Sequence, residues 1–284
     1  MTTRLGLLAI SCLIVAGLFL PLVATVSHAA KRQTAEEWAM NFALVRNGDC
    51  KVSCVQWISA EGTITADTAK QFKKFLRRLN GQRLPVVFQS RGGYVDSALA
   101  IERMIRAAGL ETAVGRTQLN GCPMLVPRCP EKIVKNGWSE GEVHAGGAYC
   151  FSACPFALAG GQVRAAAVGA RIALHQITDG RKRAPAPTGR RNLDEISTRP
   201  DPALNRMLSD YFDEMGVRSG DVFAMMGLAT REGLYNVWSA EALKSGIITK
   251  VFSYSDEPGY VIGGTDDEPG HVINIPPEIE HLIR

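Results

Sequence analysis

The chain has 284 residues, enough for one large domain with a core of its own or for two small ones. Apolar residues make up 46% and charged residues 21%, which excludes general disorder. The formal charge is only +4, and the Lys and Arg residues form no stripe interleaved with aromatics, which excludes a nucleic-acid partner.

Residues 1–29 read as a signal peptide. Arg4 supplies the positive start, residues 5–26 are apolar around Pro21, and Ser27-His28-Ala29 offers the small residues a signal peptidase reads. Cleavage is expected after Ala29 or Ala30. The apolar run approaches the roughly 20 residues that span a bilayer, so N-terminal membrane anchoring is the alternative. Cys12 is a poor lipidation site, because Ala9 and not Leu stands three residues before it. Either way the body of the chain is expected to be exported, periplasmic or the equivalent. It divides into a domain over 30–254 and a C-terminal extension over 255–284.

In an exported chain the six further cysteines read as disulfides. They stand as Cys50 and Cys54, Cys122 and Cys129, Cys150 and Cys154. Gaps of three, six and three residues are not the two-residue knuckles of structural zinc, and no metal site or cofactor is expected. Six cysteines allow about 15 connectivities, which sequence alone does not separate.

In chain order, residues 35–46 read as a short helix opened by Glu36, Glu37 and Trp38. Residues 54–59 are a strand, and 61–64 a strand end with a turn. Thr65 is expected to cap a helix with Ala66, Ala69, Phe72, Phe75, Leu76 and Leu79 at helical spacing. Residues 85–89 form a continuously apolar strand, as in a parallel sheet covered on both faces. Ser90-Arg91-Gly92-Gly93 breaks it, and residues 95–108 are helical with Ala98, Ile101, Met104 and Ile105 in one stripe. Residues 111–115 are a further strand, completing an α/β pattern with a parallel sheet. An irregular insertion over about 117–145 follows, which a Cys122–Cys129 bridge would pin.

After it, Ser152 leads an apolar run, Gly160 and Gly161 break it, and a short apolar strand pattern ends in His175. Residues 178–191 carry Arg181, Lys182, Arg183, Arg190 and Arg191 around prolines, a basic loop. Residues 202–215, 221–226 and 239–245 read as helices, the last capped by Ser239 and closed by Gly246. Residues 247–252 are a strand, and the tail repeats Asp-Glu-Pro-Gly at Asp256 and Asp267.

A serine between small residues at a helix start is a candidate nucleophile, with backbone donors and the helix dipole favouring negative charge. An imidazole returned by a later strand would be its base. Each alone is a common core or strand-end residue.

The surrounding segments carry a resemblance. EGTITADTAKQF, SRGGYVDSALAIERMI, FSACPFALAGG, ARIALHQ and WSAEALKSGIITKV follow one another in the order of the ClpP/crotonase-like superfamily, which the chain resembles from Val52 to Val251. Within that superfamily it resembles more specifically the proteolytic subunit of the Clp protease. The resemblance implies a spiral of βαβ units around a mostly parallel sheet, a homo-oligomer, and a peptide or protein substrate added as a strand beside the Gly-Gly segment. It implies Ser152 as nucleophile, His175 as general base, and the N–H groups of Gly92 or Gly93 and of Ala153 as oxyanion hole. The family's Asp should fall about eight residues before Ser239, where Thr230-Arg231-Glu232 stands instead. Glu232 is the nearest substitute, with Thr230 and the more distant Asp221 behind it, and Lys182 makes no convincing Ser-Lys dyad. The expectation is an ATP-independent serine peptidase, since an exported protein meets neither ATP nor coenzyme A. The alternative is a catalytically degenerate binding module.

Overall fold

The structure is a computed structural model that describes residues 39–122, 130–167, 169–177, 202–229 and 233–252. Residues 1–29 (expected to be a signal peptide), Cys129, the basic loop, Thr230 to Glu232 and the extension over 255–284 lie outside the described residues. No helix among the described residues is long and apolar enough to cross a membrane.

The fold is mixed α/β with a large, mostly parallel sheet. Strands β1 (Asn41–Asn47), β2 (Val55–Glu61), β3 (Val86–Gln89) and β4 (Thr112–Val114) lie in it side by side. β5 (Arg116–Leu119), β6 (Trp138–His144), β8 (Arg164–Ala167) and β11 (Lys250–Phe252) complete the order β11-β8-β4-β3-β2-β1-β6-β5. Every pairing from β11 through β2 is parallel. Helices α1 (Thr68–Leu76) and α2 (Val95–Ala108) make the crossovers of a β2-α1-β3-α2-β4 run. A second sheet, ordered β10-β9-β7, holds β7 (Tyr149–Phe151), β9 (Arg171–Leu174) and β10 (Tyr235–Val237). It meets the end of β3 through a bridge between Ser90 and Cys150.

The large sheet is buried on both faces, and the side-chain period of two sorts its residues between two cores. Phe42, Leu44, Ile58, Ala60, Val86 and Phe88 join the main core under the helices. Their neighbours Ala43, Val45, Trp57 and Val87 join a smaller one on the opposite face. This explains the first correction to the sequence reading. Residues 41–47 are strand β1, not the end of a helix over 35–46, and β1 pairs antiparallel with β2 from Asn41↔Glu61 to Asn47↔Val55. A continuous apolar run suits a strand covered on both faces as well as a helix, and the partner strand decides.

The insertion is also more ordered than expected. β5 and β6 pair antiparallel, and β6 runs parallel to β1, so the segment extends the sheet beyond β1. Two caps shift as well. α1 begins at Thr68 after Asp67, and Thr65 spends its N–H on the Thr68 hydroxyl. α6 (Ser239–Ser245) takes Trp238 as its N-cap, whose N–H donates to the Glu241 carboxylate at 2.9 Å.

Helices α3 (Cys154–Leu158) and α5 (Ser219–Gly227) lie against the second sheet, α4 (Pro202–Glu214) and α6 pack on α5, and Phe156 stacks on Phe212. Buried Arg164 ties their ends together. Its guanidinium donates to the carbonyls of Gly246 at 2.7 Å and Gly161 at 2.8 Å, the chain reversals after α6 and α3. Burial, and secondarily Arg106, lower its pKa to about 10.

Glu102 stands in the apolar stripe of α2 among Ala98, Ile101 and Ile105, wholly buried. Neither carboxylate oxygen has a hydrogen-bond partner among the described residues. The nearby Tyr211 hydroxyl donates instead to the Phe156 carbonyl of α3 at 3.1 Å. Burial pushes the Glu102 carboxyl up to about 7, against the opposing effects of Tyr211, Arg106 and Arg103.

Candidate active site

Three segments meet at the ends of β3, β7 and β9. The parallel pairing of β7 with β9, through Phe151↔Ala173, carries both strands out at the same level. Ser152 is the first residue beyond β7 and His175 the first beyond β9. Their side chains meet, with Ser152 Oγ 2.6 Å from His175 Nε2. The other ring nitrogen, Nδ1, lies 2.7 Å from the carbonyl oxygen of Gln176. A carbonyl can only accept, so in the neutral ring Nδ1 carries the proton and Nε2 presents its lone pair to the serine hydroxyl. The tautomer is that of a general base.

Ser152 has φ 60, the left-handed region, as a non-glycine residue. The strand-to-helix turn lifts its hydroxyl clear of β7 and is held by the backbone on both sides. Ser152 N–H donates to Ala173 O at 2.9 Å, and Phe151 N–H to Ser90 O at 2.9 Å. Gly92, at φ 88, packs so closely that a Cβ there would lie 2.4 Å from Phe151 O and 2.6 Å from Ala153 N. Only glycine fits against this turn.

The structure separates the two glycines named from the sequence. Gly92 N–H is spent on the Ser90 hydroxyl at 3.1 Å, and that hydroxyl donates in turn to Gly62 O at 2.6 Å. Gly93 N–H and Ala153 N–H have no hydrogen-bond acceptor among the described residues, and both residues line the cleft that holds Ser152 and His175. They are the two backbone donors available to a developing oxyanion. α3 has only five residues, so these two N–H groups, more than a helix dipole, are what the backbone offers here. Ser90 went unremarked as a positioning residue in the sequence reading; its one signal is a hydroxyl two residues before the glycine it holds.

The cleft encloses about 180 Å³, and Val95, Phe156, Leu174, Ile177 and Met226 form its apolar wall. Of the third-member candidates, Asp221 is committed elsewhere, paired with Arg218 at 2.8 Å. Thr230 and Glu232 lie outside the described residues. Among the described residues no cluster of His, Cys, Asp or Glu could hold a metal ion.

The cysteines pair locally. Cys50 bonds Cys54 and Cys150 bonds Cys154, so the turn that carries Ser152 is closed on itself and these cysteines do not tie it to the insertion or the N-terminal pair. Cys122 is also disulfide-bonded, and Cys129 lies outside the described residues.

No protein family matches the chain, and no curated protein does. Among solved structures it is similar to the 1510-N membrane-bound stomatin-specific protease, with 16% identity over 67% of this chain and 75% of that one, at a TM-score of 0.41. The same protease in complex with a substrate peptide gives 18% identity over 67% and 71%, at 0.39. ClpP1 from Listeria monocytogenes gives 13% identity over 68% and 89%, at 0.38. The chemistry is read from this chain's own site.

Proposed function

We propose that this protein is an exported serine hydrolase of the peptidase type that acts on peptide or protein substrates without ATP. The observation that carries the reading is the 2.6 Å contact between Ser152 Oγ and His175 Nε2, made by a serine at φ 60. In the proposed reaction Ser152 Oγ attacks a carbonyl carbon as its proton passes to His175 Nε2. The carbonyl oxygen, now negative, accepts from Gly93 N–H and Ala153 N–H. His175 returns the proton to the departing amine, and a water deprotonated by the same imidazole releases the acyl group from Ser152. The apolar wall around Phe156 and Met226 would receive the acyl side chain.

Among the described residues a Gln176 carbonyl orients His175, and Glu232, outside them, remains the proposed third member. Export rests on the N-terminal segment and the cysteines, and self-association on the resemblance. The test is labelling of the purified, oxidised protein with a fluorophosphonate, beside Ser152→Ala and His175→Ala. Labelling of the parent that disappears in both variants is the expected result. A folded parent that stays unlabelled while a control hydrolase reacts would sink the enzyme reading and leave a binding module.

A further inference from the structure

The turn that carries Ser152 is held unequally on its two sides. Before the serine, Ser90, Phe151 and Ala173 bind backbone to backbone. After it, α3 is held along its own length, by Tyr211 O–H on Phe156 O at 3.1 Å and Thr112 Oγ1–H on Leu158 O at 2.7 Å, while the residue next to the serine has little bonding of its own. Ala153 N–H faces the cleft, and Ala153 O receives only a 3.3 Å bond from Phe156 at the start of the five-residue helix α3. The Cys150–Cys154 bond spans that gap, joining the strand two residues before Ser152 to the helix two residues after it. Both cysteines are fully buried, 0% exposed. Cys150 is itself anchored by pairing with Ile172 and by the bridge to Ser90. The bond thus joins the first residue of α3, next to Ala153, to the strand that pairs with the strand before His175.

Building on the serine-hydrolase reading, we propose that Cys150 and Cys154 are positioning residues. Their disulfide holds Ser152 in its left-handed conformation and keeps Ala153 N–H aimed into the cleft, so that the site is competent only in the oxidised chain. Forming the bond removes two electrons and two protons from the two thiols. A disulfide-bearing oxidant takes them by thiol–disulfide exchange and leaves as a dithiol. Because both sulfurs are buried, the exchange belongs to folding and not to a reversible switch in the finished protein. A chain folded in a reducing compartment would carry a loosened nucleophile turn and little activity.

Cys50–Cys54 supplies the matched control: it spans the same sequence separation of four and lies on a hairpin end that contributes no residue to the cleft. The experiment compares Cys150→Ala/Cys154→Ala with Cys50→Ala/Cys54→Ala. Two readouts are taken, the concentration dependence of fluorophosphonate labelling and the ring NMR signals of His175. The expected result for the 150/154 pair is a maximal labelling rate roughly 10- to 100-fold lower, the cost of a small misplacement of reacting groups. The half-saturating probe concentration stays within about 2-fold, and the His175 signals move. The 50/54 pair leaves both readouts as in the parent.

If the 150/154 alanine pair does not fold, Cys150→Val/Cys154→Ala, which refills the buried volume, is read in its place. Labelling within about 2-fold of the parent with unmoved His175 signals would overturn the proposal, as would an equal loss in the 50/54 pair. Should the parent itself not label, the hydrolase reading fails separately and the His175 signals still decide. Signals that move only in the 150/154 pair support the positioning role, and signals that do not move refute it.

Discussion

Cys50–Cys54 and Cys150–Cys154 bridge the same sequence separation, and their surroundings differ in nearly everything else. The first closes the turn between β1 and β2, where Val52 is 86% exposed. That turn also has hydrogen bonds of its own, from Ser53 N–H to Asp49 O at 2.8 Å and from Lys51 N–H to the Asp49 carboxylate at 3.0 Å. The second closes the turn between β7 and α3, where its sulfurs are buried and Gly92 presses on the backbone. Loop-closure entropy depends on loop length, so that part of their stabilisation is the same, about 2 kcal/mol each. Whatever else a disulfide does comes from its place. On a hairpin end it constrains a chain reversal that already exists; at a strand-to-helix junction it spans the residue whose Oγ lies 2.6 Å from His175 Nε2.

The largest effects should fall on the second turn. Ser152→Ala and His175→Ala should each remove fluorophosphonate labelling by about 10³-fold or more, while their melting temperatures stay near that of the parent. Labelling that survives Ser152→Ala would move the nucleophile elsewhere and end the contrast between the two turns. Gly92→Ala comes next. Its Cβ would meet backbone atoms at 2.4 and 2.6 Å, at φ 88, and neither neighbour is a side chain that can swing away. We expect roughly 100-fold slower labelling and a lower melting point. Gly220→Ala, whose Cβ would meet nothing within 4 Å, should change neither.

Smaller effects concern stability. Removing either cystine should cost the shared loop-closure contribution of about 2 kcal/mol. The 150/154 pair should lose more in chemical denaturation, because its sulfurs also fill core volume. Equal losses would show that the buried bond adds nothing by packing.

Last comes Glu102, beneath the helix that follows the nucleophile. A Cβ on Gly160, just past α3, would lie 2.7 Å from the Glu102 carbonyl, so the two backbones touch. The folded chain raises the Glu102 carboxyl from 4.5 to about 7 and so binds a proton that the unfolded chain releases. Its stabilising contribution is therefore complete below about pH 4.5 and fades as pH rises through about 7. Glu102→Gln should melt like the parent at low pH and roughly 2–5 °C higher in mildly alkaline buffer. Melting curves against pH that stay parallel for the two proteins would contradict this. The Cys50–Cys54 turn has no such buried group, so its variants should show no added pH dependence.

Much of this was legible in the residues. The helix over 95–108 matches α2, because its apolar spacing and the Gly109 stop are local signals. The short apolar strands 85–89 and 111–115 match β3 and β4 within a residue or two for the same reason. The misreadings share a cause. Phe42 to Val45 is apolar at every position, and only β2 and the two cores tell it from a buried helix. Trp138 to His144 alternates too weakly to announce β6, which is a strand because β1 and β5 give it partners. Glu102 could have been noticed as a carboxylate inside an apolar stripe, although nothing in sequence says that its oxygens go unpaired. The cysteines were recognisable as disulfides, but whether Cys150 reaches its near neighbour or a distant one depends on the turn between them.

By itself the sequence determined the alternation of strands and helices, the glycines after β3, and the identity of a serine and a histidine at two chain breaks. These follow from the residue types and the few positions around each. Tertiary structure alone decided that Ser152 and His175, 23 residues apart, come within 2.6 Å, since that depends on the register of β7 with β9. It also decided that the Gly92 N–H is spent on Ser90 while the Gly93 N–H has no acceptor among the described residues, and that a carbonyl lies beside His175 Nδ1. A donor is free or spent according to which acceptor the rest of the chain brings beside it, and no local pattern encodes that.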